Sequence, residues 1–157
     1  MPLRVTKQLE AALLSEWSAT LDPSWQWKTQ IRVGTVPLVY NGVVLSPAQR
    51  RNFANWSDWC DERIFTGSEI WIVEAKVVGT AGAYGQVLDY ARQWPSSMDA
   101  EDYPGRPVLP VVLTAFEKPD TASYFGKFGV KTIIFTPSWA GNSLVNKIQA
   151  SKDATEV

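Results

Sequence analysis

The chain of 157 residues contains no histidine, and that absence removes the commonest general base and the commonest transition-metal ligand. Serine-histidine triads, cysteine-histidine pairs and histidine-based zinc sites are therefore excluded. Any catalysis must rest on carboxylates, lysine, tyrosine or a hard metal ion. A single cysteine, Cys60, rules out an intrachain disulfide framework and a multi-cysteine zinc site, and points to a reducing compartment, with the cytoplasm as the expectation. No apolar run approaches the length needed to cross a bilayer, and MPLRVTKQLE lacks the apolar centre of a signal peptide, so no membrane partner is expected. Net charge is also missing: the balance is -1, which argues against a protein that coats nucleic acid along an extended face. Removing Asp99, Glu101 and Asp102, three acids of one expected loop, leaves the remainder only weakly basic.

What the chain has in excess is tryptophan, eight residues of it, read first as large aromatics that fill a small core and its rim. The length fits one domain, over residues 1–150, followed by a flexible tail at 151–157. Val5, Leu9, Leu13 and Trp17 recur at four-residue spacing and predict a helix over 5–18, ended by Asp22-Pro23. Glu10 and Glu16 border its apolar stripe and read as solvated charges on spacing alone. Residues 25–33 alternate as a half-exposed strand with Lys28 and Arg32 on a shared face. Asn41-Gly42 marks a small hairpin within 36–44. Ser46-Pro47 starts a short helix to about residue 52 that carries Arg50 and Arg51.

The stretch from Cys60 to Val78 reads as a second hairpin. Gly67-Ser68 fits a two-residue type II′ turn, with glycine where φ must be positive. That turn fixes the register, so Thr66 opposes Glu69 and Asp61 opposes Glu74. Two bare carboxylates facing each other at roughly 5 Å are destabilising, and a positive species is expected between them. Parity sets Ile70, Ile72, Glu74 and Lys76 on one face and Trp71, Val73 and Ala75 on the other, and it favours Asp61 over Asp58. Both faces are apolar up to Glu74, so the strand is expected to be central.

After Gly79-Thr80, residues 81–94 predict a helix with Tyr84, Val87, Leu88, Ala91 and Trp94 in the core and with Gln86 and Tyr90 on a common side. Residues 95–107 read as loop, 108–116 as a buried strand containing Pro110, 120–126 as a short helix, 131–136 as a strand and 139–150 as a closing helix. The order is that of an α/β layer fold with a mixed sheet.

An acid on one strand and Glu-x-Lys on its neighbour suits metal-assisted hydrolysis. Carboxylate oxygens hold Mg²⁺, which neutralises phosphate charge and acidifies a water, and a lysine on the same face orients that water. A plain Glu-Lys ion pair at a strand end would explain Lys76 but not Asp61 opposite Glu74. Asp61, then Ile70-Trp71-Ile72-Val73-Glu74-Ala75-Lys76, then a helix with Gln86 and Tyr90, resembles the PD-(D/E)xK nuclease superfamily in its RecB-like Q-x-x-x-Y form. The resemblance spans roughly residues 5–136 and implies a restriction-endonuclease-like core of helix, three strands, helix and strand. It implies further that Asp61, Glu74 and the Ala75 carbonyl bind Mg²⁺, with Mn²⁺ able to substitute, and that Lys76 is the catalytic lysine. Gln86 and Tyr90 would line the site, and Glu10 matches a first-helix glutamate of the family. The family's proline before the first acid is replaced here by Cys60.

The expected function is thus a Mg²⁺-dependent deoxyribonuclease, an endonuclease, with Lys28, Arg32, Arg50 and Arg51 as candidate phosphate contacts. So small a chain leaves DNA shape, a homodimer or a partner protein to supply specificity. The alternative is a catalytically vestigial module in a phage or mobile-element assembly. Action on RNA or on a nucleotide-sized substrate is compatible with the same residues.

Overall fold

The computed structural model describes residues 3–54 and 58–140. Helix α1 (Leu3–Ser18) is followed by strand β1 (Gln26–Val33), a short hairpin of β2 (Val39–Tyr40) and β3 (Val43–Val44), and helix α2 (Pro47–Ala54). The long hairpin comprises β4 (Asp58–Phe65) and β5 (Ile70–Val78). Helix α3 (Ala81–Gln93), strand β6 (Val108–Phe116), helix α4 (Pro119–Gly126) and strand β7 (Lys131–Ile134) complete the described chain. The fold is α/β, a mixed five-stranded sheet flanked by helices. Its strand order is β1-β4-β5-β6-β7, antiparallel across the first three strands and parallel thereafter.

β5 and β6 sit in the middle of the sheet and are buried on both faces, which is why their sequences run apolar instead of alternating. Ile70 and Ile72 pack with Tyr84, Val87 and Trp94 of the α3 side, whereas Trp71, Val73 and Leu113 pack with Leu13 and Trp17 of α1. Pro110 opposes Ile72 just before β7 begins to pair at Val111, so its missing N–H removes no bond on the β7 side.

Local chemistry accounts for the punctuation. Ser46 and Gln49 form a reciprocal cap at the start of α2: the Gln49 N–H donates to Ser46 Oγ at 3.2 Å and the Ser46 N–H to Gln49 Oε1 at 2.9 Å. Thr80 caps α3 through the Ala83 N–H. Asn41 and Gly42 both have positive φ, the signature of a type I′ turn. Gly67 has φ +94° while Ser68 does not turn positive, as type II′ requires.

Three expectations are corrected. Residues 95–107 are not a plain loop, because 3-10 turns occupy Trp94–Ser96 and Met98–Asp102, with Trp94 and Ala100 buried. The plain alternation expected over 25–33 is broken, because Gln30 adopts the left-handed conformation with φ 54°, although Lys28 and Arg32 still line one cleft as expected. Trp27 and Thr29 consequently face the α1 side, whereas Ile31 and Val33 join the α3-side core. Finally, the β4–β5 ladder has the expected register but runs only from Phe65↔Ile70 to Glu62↔Val73, one pair short of Asp61 and Glu74. The helix expected at 139–150 lies beyond the described residues from 141 on, as does the tail; Ser138–Ala140 form a turn.

Candidate metal and phosphodiester site

Where the ladder stops, the side chain of Asp61 takes over the role of a backbone acceptor: the Ala75 N–H donates to Asp61 Oδ2 at 2.9 Å. The hairpin is thereby held together at its open end by a carboxylate, and Asp61 is brought beside the Glu74-Ala75-Lys76 segment. Glu74 is 4% exposed, and its Oε2 is buried without a hydrogen-bond partner among the described residues. Its Oε1 lies 3.7 Å from Lys76 Nζ, and the same ammonium lies 3.6 Å from Glu10 Oε2 of α1. Glu10, Asp61, Ala75 and Lys76 line a cleft of about 540 Å³ between α1 and the sheet.

The electrostatics follow from this crowding. Burial raises the Glu74 carboxyl well above the usual carboxylate range. The neighbouring charges of Asp61 and Glu10 push the same way, against the pull of Lys76. Asp61 is also raised by burial, opposed by the Ala75 N–H, by Lys76 and by hydrogen bonding with the neighbouring Glu74 carboxyl. The next residue, Glu62, was not singled out by sequence. It is fully buried on the α1 side, where Ser18 Oγ donates to its carboxyl at 3.0 Å, and burial pushes it up to about 7. Cys60, also fully buried, has its thiol pushed up to about 12 by burial and adjacent carboxylates, so it is no nucleophile.

On α3, the Gln86 side-chain amide donates to the Tyr90 hydroxyl, so the pair shares one side of the helix as expected. Tyr90 is buried and its hydroxyl is raised chiefly by burial, with Glu74 contributing through its charge; Gln86 is exposed. Among the described residues no group of three acidic or thiol side chains converges to hold a metal ion. Mg²⁺ nevertheless needs only one or two carboxylates and retains several waters. Asp61, Glu74 with its orphaned Oε2, and the Ala75 carbonyl form an all-oxygen donor set of that kind. The residues therefore fit a hard divalent cation.

The four expected phosphate contacts divide. Lys28, Arg32 and Arg51 line a second cleft, of about 320 Å³, together with Trp59 and Gln30. Arg50 lies elsewhere: its guanidinium is paired with both carboxylate oxygens of Glu101, joining α2 to the second 3-10 turn. Sequence reasoning also passed over Trp27 and Gln30, which line the first cleft beside Asp61. Trp27 could have been flagged as a large aromatic alternating with polar residues, but nothing near Gln30 signals a left-handed backbone.

No family model matches this sequence, and no curated protein sequence matches it. Among solved structures, the crystal structure of AF1548, a protein of unknown function, aligns with a TM-score of 0.44 at 12% identity, over 90% of this chain and 64% of the other. The described residues contain no helix long and apolar enough to cross a membrane.

Proposed function

We propose that this chain is a metal-dependent nuclease that hydrolyses DNA phosphodiester bonds, with a PD-(D/E)xK site on a restriction-endonuclease-like core formed by α1, β1, β4, β5, α3 and β6. The observation that carries the reading is the junction of Asp61 with Glu74-Ala75-Lys76: Asp61, Ala75 and Lys76 line a cleft, and the adjoining Glu74 has one carboxylate oxygen buried with no hydrogen-bond partner among the described residues. A buried carboxyl oxygen without a hydrogen-bond partner is costly, and a ligating cation would both satisfy it and favour the charged form that burial disfavours.

When bound, Mg²⁺ or Mn²⁺ would neutralise charge on the scissile phosphate and acidify the attacking water. The chain's own residues supply the rest. Asp61 and Glu74 present oxygens from two strands whose spacing the hairpin fixes. Lys76, steadied between Glu10 and Glu74, orients the water and opposes the negative charge that develops on the phosphate. Glu10 acts through Lys76 and is a positioning residue. Tyr90 of α3 is near enough to feel the charge of Glu74, and the Gln86 amide holds its hydroxyl.

Incubating the purified protein with Mg²⁺ or Mn²⁺ and linear, branched or single-stranded DNA tests the reading. Metal-dependent cleavage is expected, reduced about 100-fold or more in Lys76→Ala. Cleavage of none of these substrates, or full activity in Lys76→Ala, would overturn it.

A second reading, a silent nuclease-fold module within a phage or mobile-element assembly, draws on one observation. The β2–β3 hairpin leaves Leu38, Val39, Tyr40, Val43 and Val44 exposed, an apolar patch suited to a protein partner or a second copy. Under that reading the protein binds no divalent cation at Asp61 and Glu74.

A further inference from the structure

Among the described residues, the tryptophans divide sharply. Trp17, Trp71 and Trp94 are buried, Trp25 and Trp139 are half-buried, and only Trp27 and Trp59 are exposed, at 50% and 47%. Single exposed aromatics are ordinary, but these two share a setting. Trp27 lines the cleft that contains Asp61 and Lys76, and Trp59 lines the basic cleft of Lys28, Arg32 and Arg51. Gln30 lines both, so the two clefts meet at that residue, on β1, the edge strand of the sheet. Of the residues around the left-handed Gln30, Trp27 and Thr29 line the first cleft, whereas Lys28, Ile31 and Arg32 line the second.

We infer that the two clefts form one track for an unpaired polynucleotide strand. The phosphates lie on Lys28, Arg32 and Arg51, and bases stack on Trp59 and Trp27 on the way to Asp61 and Lys76. The inference rests on the nuclease reading for the direction of the track, and it names the substrate class that reading leaves open. Three features favour an unpaired strand over a duplex. Stacking on an indole needs a base released from its own helix, and it serves every base alike. The Trp59 ring is held in place by the Arg32 guanidinium 3.5 Å from its centroid, an arrangement that orients the platform while leaving it half exposed. Three cations with one acid, Asp99, in the cleft suit one backbone, whereas a chain of net charge -1 has little with which to grip two. Along β1 the level of Trp27 is five residues from Arg32, which pairs with Trp59. The platforms are therefore roughly 16 Å apart at about 3.3 Å per residue, close enough for one short oligonucleotide to reach both.

The test is fluorescence anisotropy of the full chain in EDTA, where no cleavage occurs, with labelled 12-mers of single-stranded DNA, single-stranded RNA of the same sequence, and duplex DNA. A single strand should bind at least tenfold more tightly than the duplex, with a log-log salt slope of about −2 from three phosphates at about −0.7 each. Whichever single strand binds more tightly, DNA or RNA, identifies the source of the strand, and either supports the track. Trp27→Ala and Trp59→Ala should each weaken binding about tenfold, and Trp27→Phe and Trp59→Phe should restore most of it, since phenylalanine keeps a stacking face. Duplex binding equal to or tighter than single-strand binding, wild-type affinity in both alanine variants, or no binding of any 12-mer would overturn the proposal. Because the readout excludes cleavage, a protein that binds single strands but cuts nothing refutes the nuclease reading alone. One that cuts DNA but prefers a duplex refutes the track alone.

Discussion

The two hairpins of this chain are built on turn chemistry of equal clarity, yet they occupy opposite situations. Asn41-Gly42 closes a pair of two-residue strands that stand outside the main sheet, with Val44 77% exposed and a ring contact between Tyr40 and Phe53 joining them to α2. Gly67-Ser68 closes β4 and β5, which lie inside the sheet, and β5 is covered on both faces. A turn sets register in either place. Only burial converts register into consequence, because at the inner hairpin a fixed register forces Asp61 and Glu74 into a low-dielectric space where their charges cannot be shed into water.

The largest expected effect follows from that difference. Glu74→Gln should cut metal-dependent cleavage about 100-fold or more, while raising the melting temperature of the metal-free protein at about pH 8, because it removes a charge that burial disfavours. Loss of activity together with a lower melting temperature would show that Glu74 is structural. Tyr40→Ser, on the outer hairpin, should leave cleavage within about twofold.

The next effect is pH dependence. Glu62 ordinarily titrates at 4.5 and is raised to about 7, with Asp61 and Glu74 raised as well. Between those limits the folded state binds more protons than the unfolded one, so stability is full below about pH 4.5 from these groups and declines as pH rises through 7. Thermal melts of metal-free protein should fall by several degrees from about pH 5 to pH 8, and Glu62→Gln should flatten that decline. Glu16, Asp22 and Glu101, held low by hydrogen bonds, act only below this window. A melting temperature that rises across the window would contradict the burial argument.

Smaller still are the turns themselves. Among the described residues, apart from the chain neighbours, no atom lies within 4 Å of a methyl group added at Gly67 or Gly42, so each alanine substitution costs backbone strain at positive φ. Gly67→Ala should cost about 1–2 kcal/mol of global stability. Gly42→Ala should cost less than about 0.5 kcal/mol globally, because a hairpin outside the sheet opens locally before the domain unfolds, and the change should appear as faster amide exchange over residues 38–45. Equal global losses would show that the outer hairpin is integrated into the fold.

The parts legible in the sequence are those governed by local chemistry or strict periodicity. The Gly67-Ser68 turn sets the register of Glu62↔Val73 correctly, Ser46 and Gln49 mark the α2 start, and the apolar spacing of α3 places Tyr84, Val87 and Trp94 inward. What escaped depends on tertiary context. The left-handed Gln30 carries no residue preference to betray it, and it redirects β1 so that Trp27 and Ile31 part company. The basic cleft joins Arg51 of α2 to Met98 and Asp99 of a segment that composition alone marks as loop. Asp61 does not pair with Glu74 as expected: the ladder ends at Glu62↔Val73, and Asp61 reaches β5 as a side-chain acceptor for the Ala75 N–H.

The account turns on whether the inner hairpin binds a cation, and calorimetric titration of the full chain with Mn²⁺ at about pH 8 addresses this most directly. One site is predicted in the wild type, lost in both Asp61→Asn and Glu74→Gln and retained in Tyr40→Ser. Absence of binding in the wild type, or wild-type binding in both carboxylate variants, would contradict it.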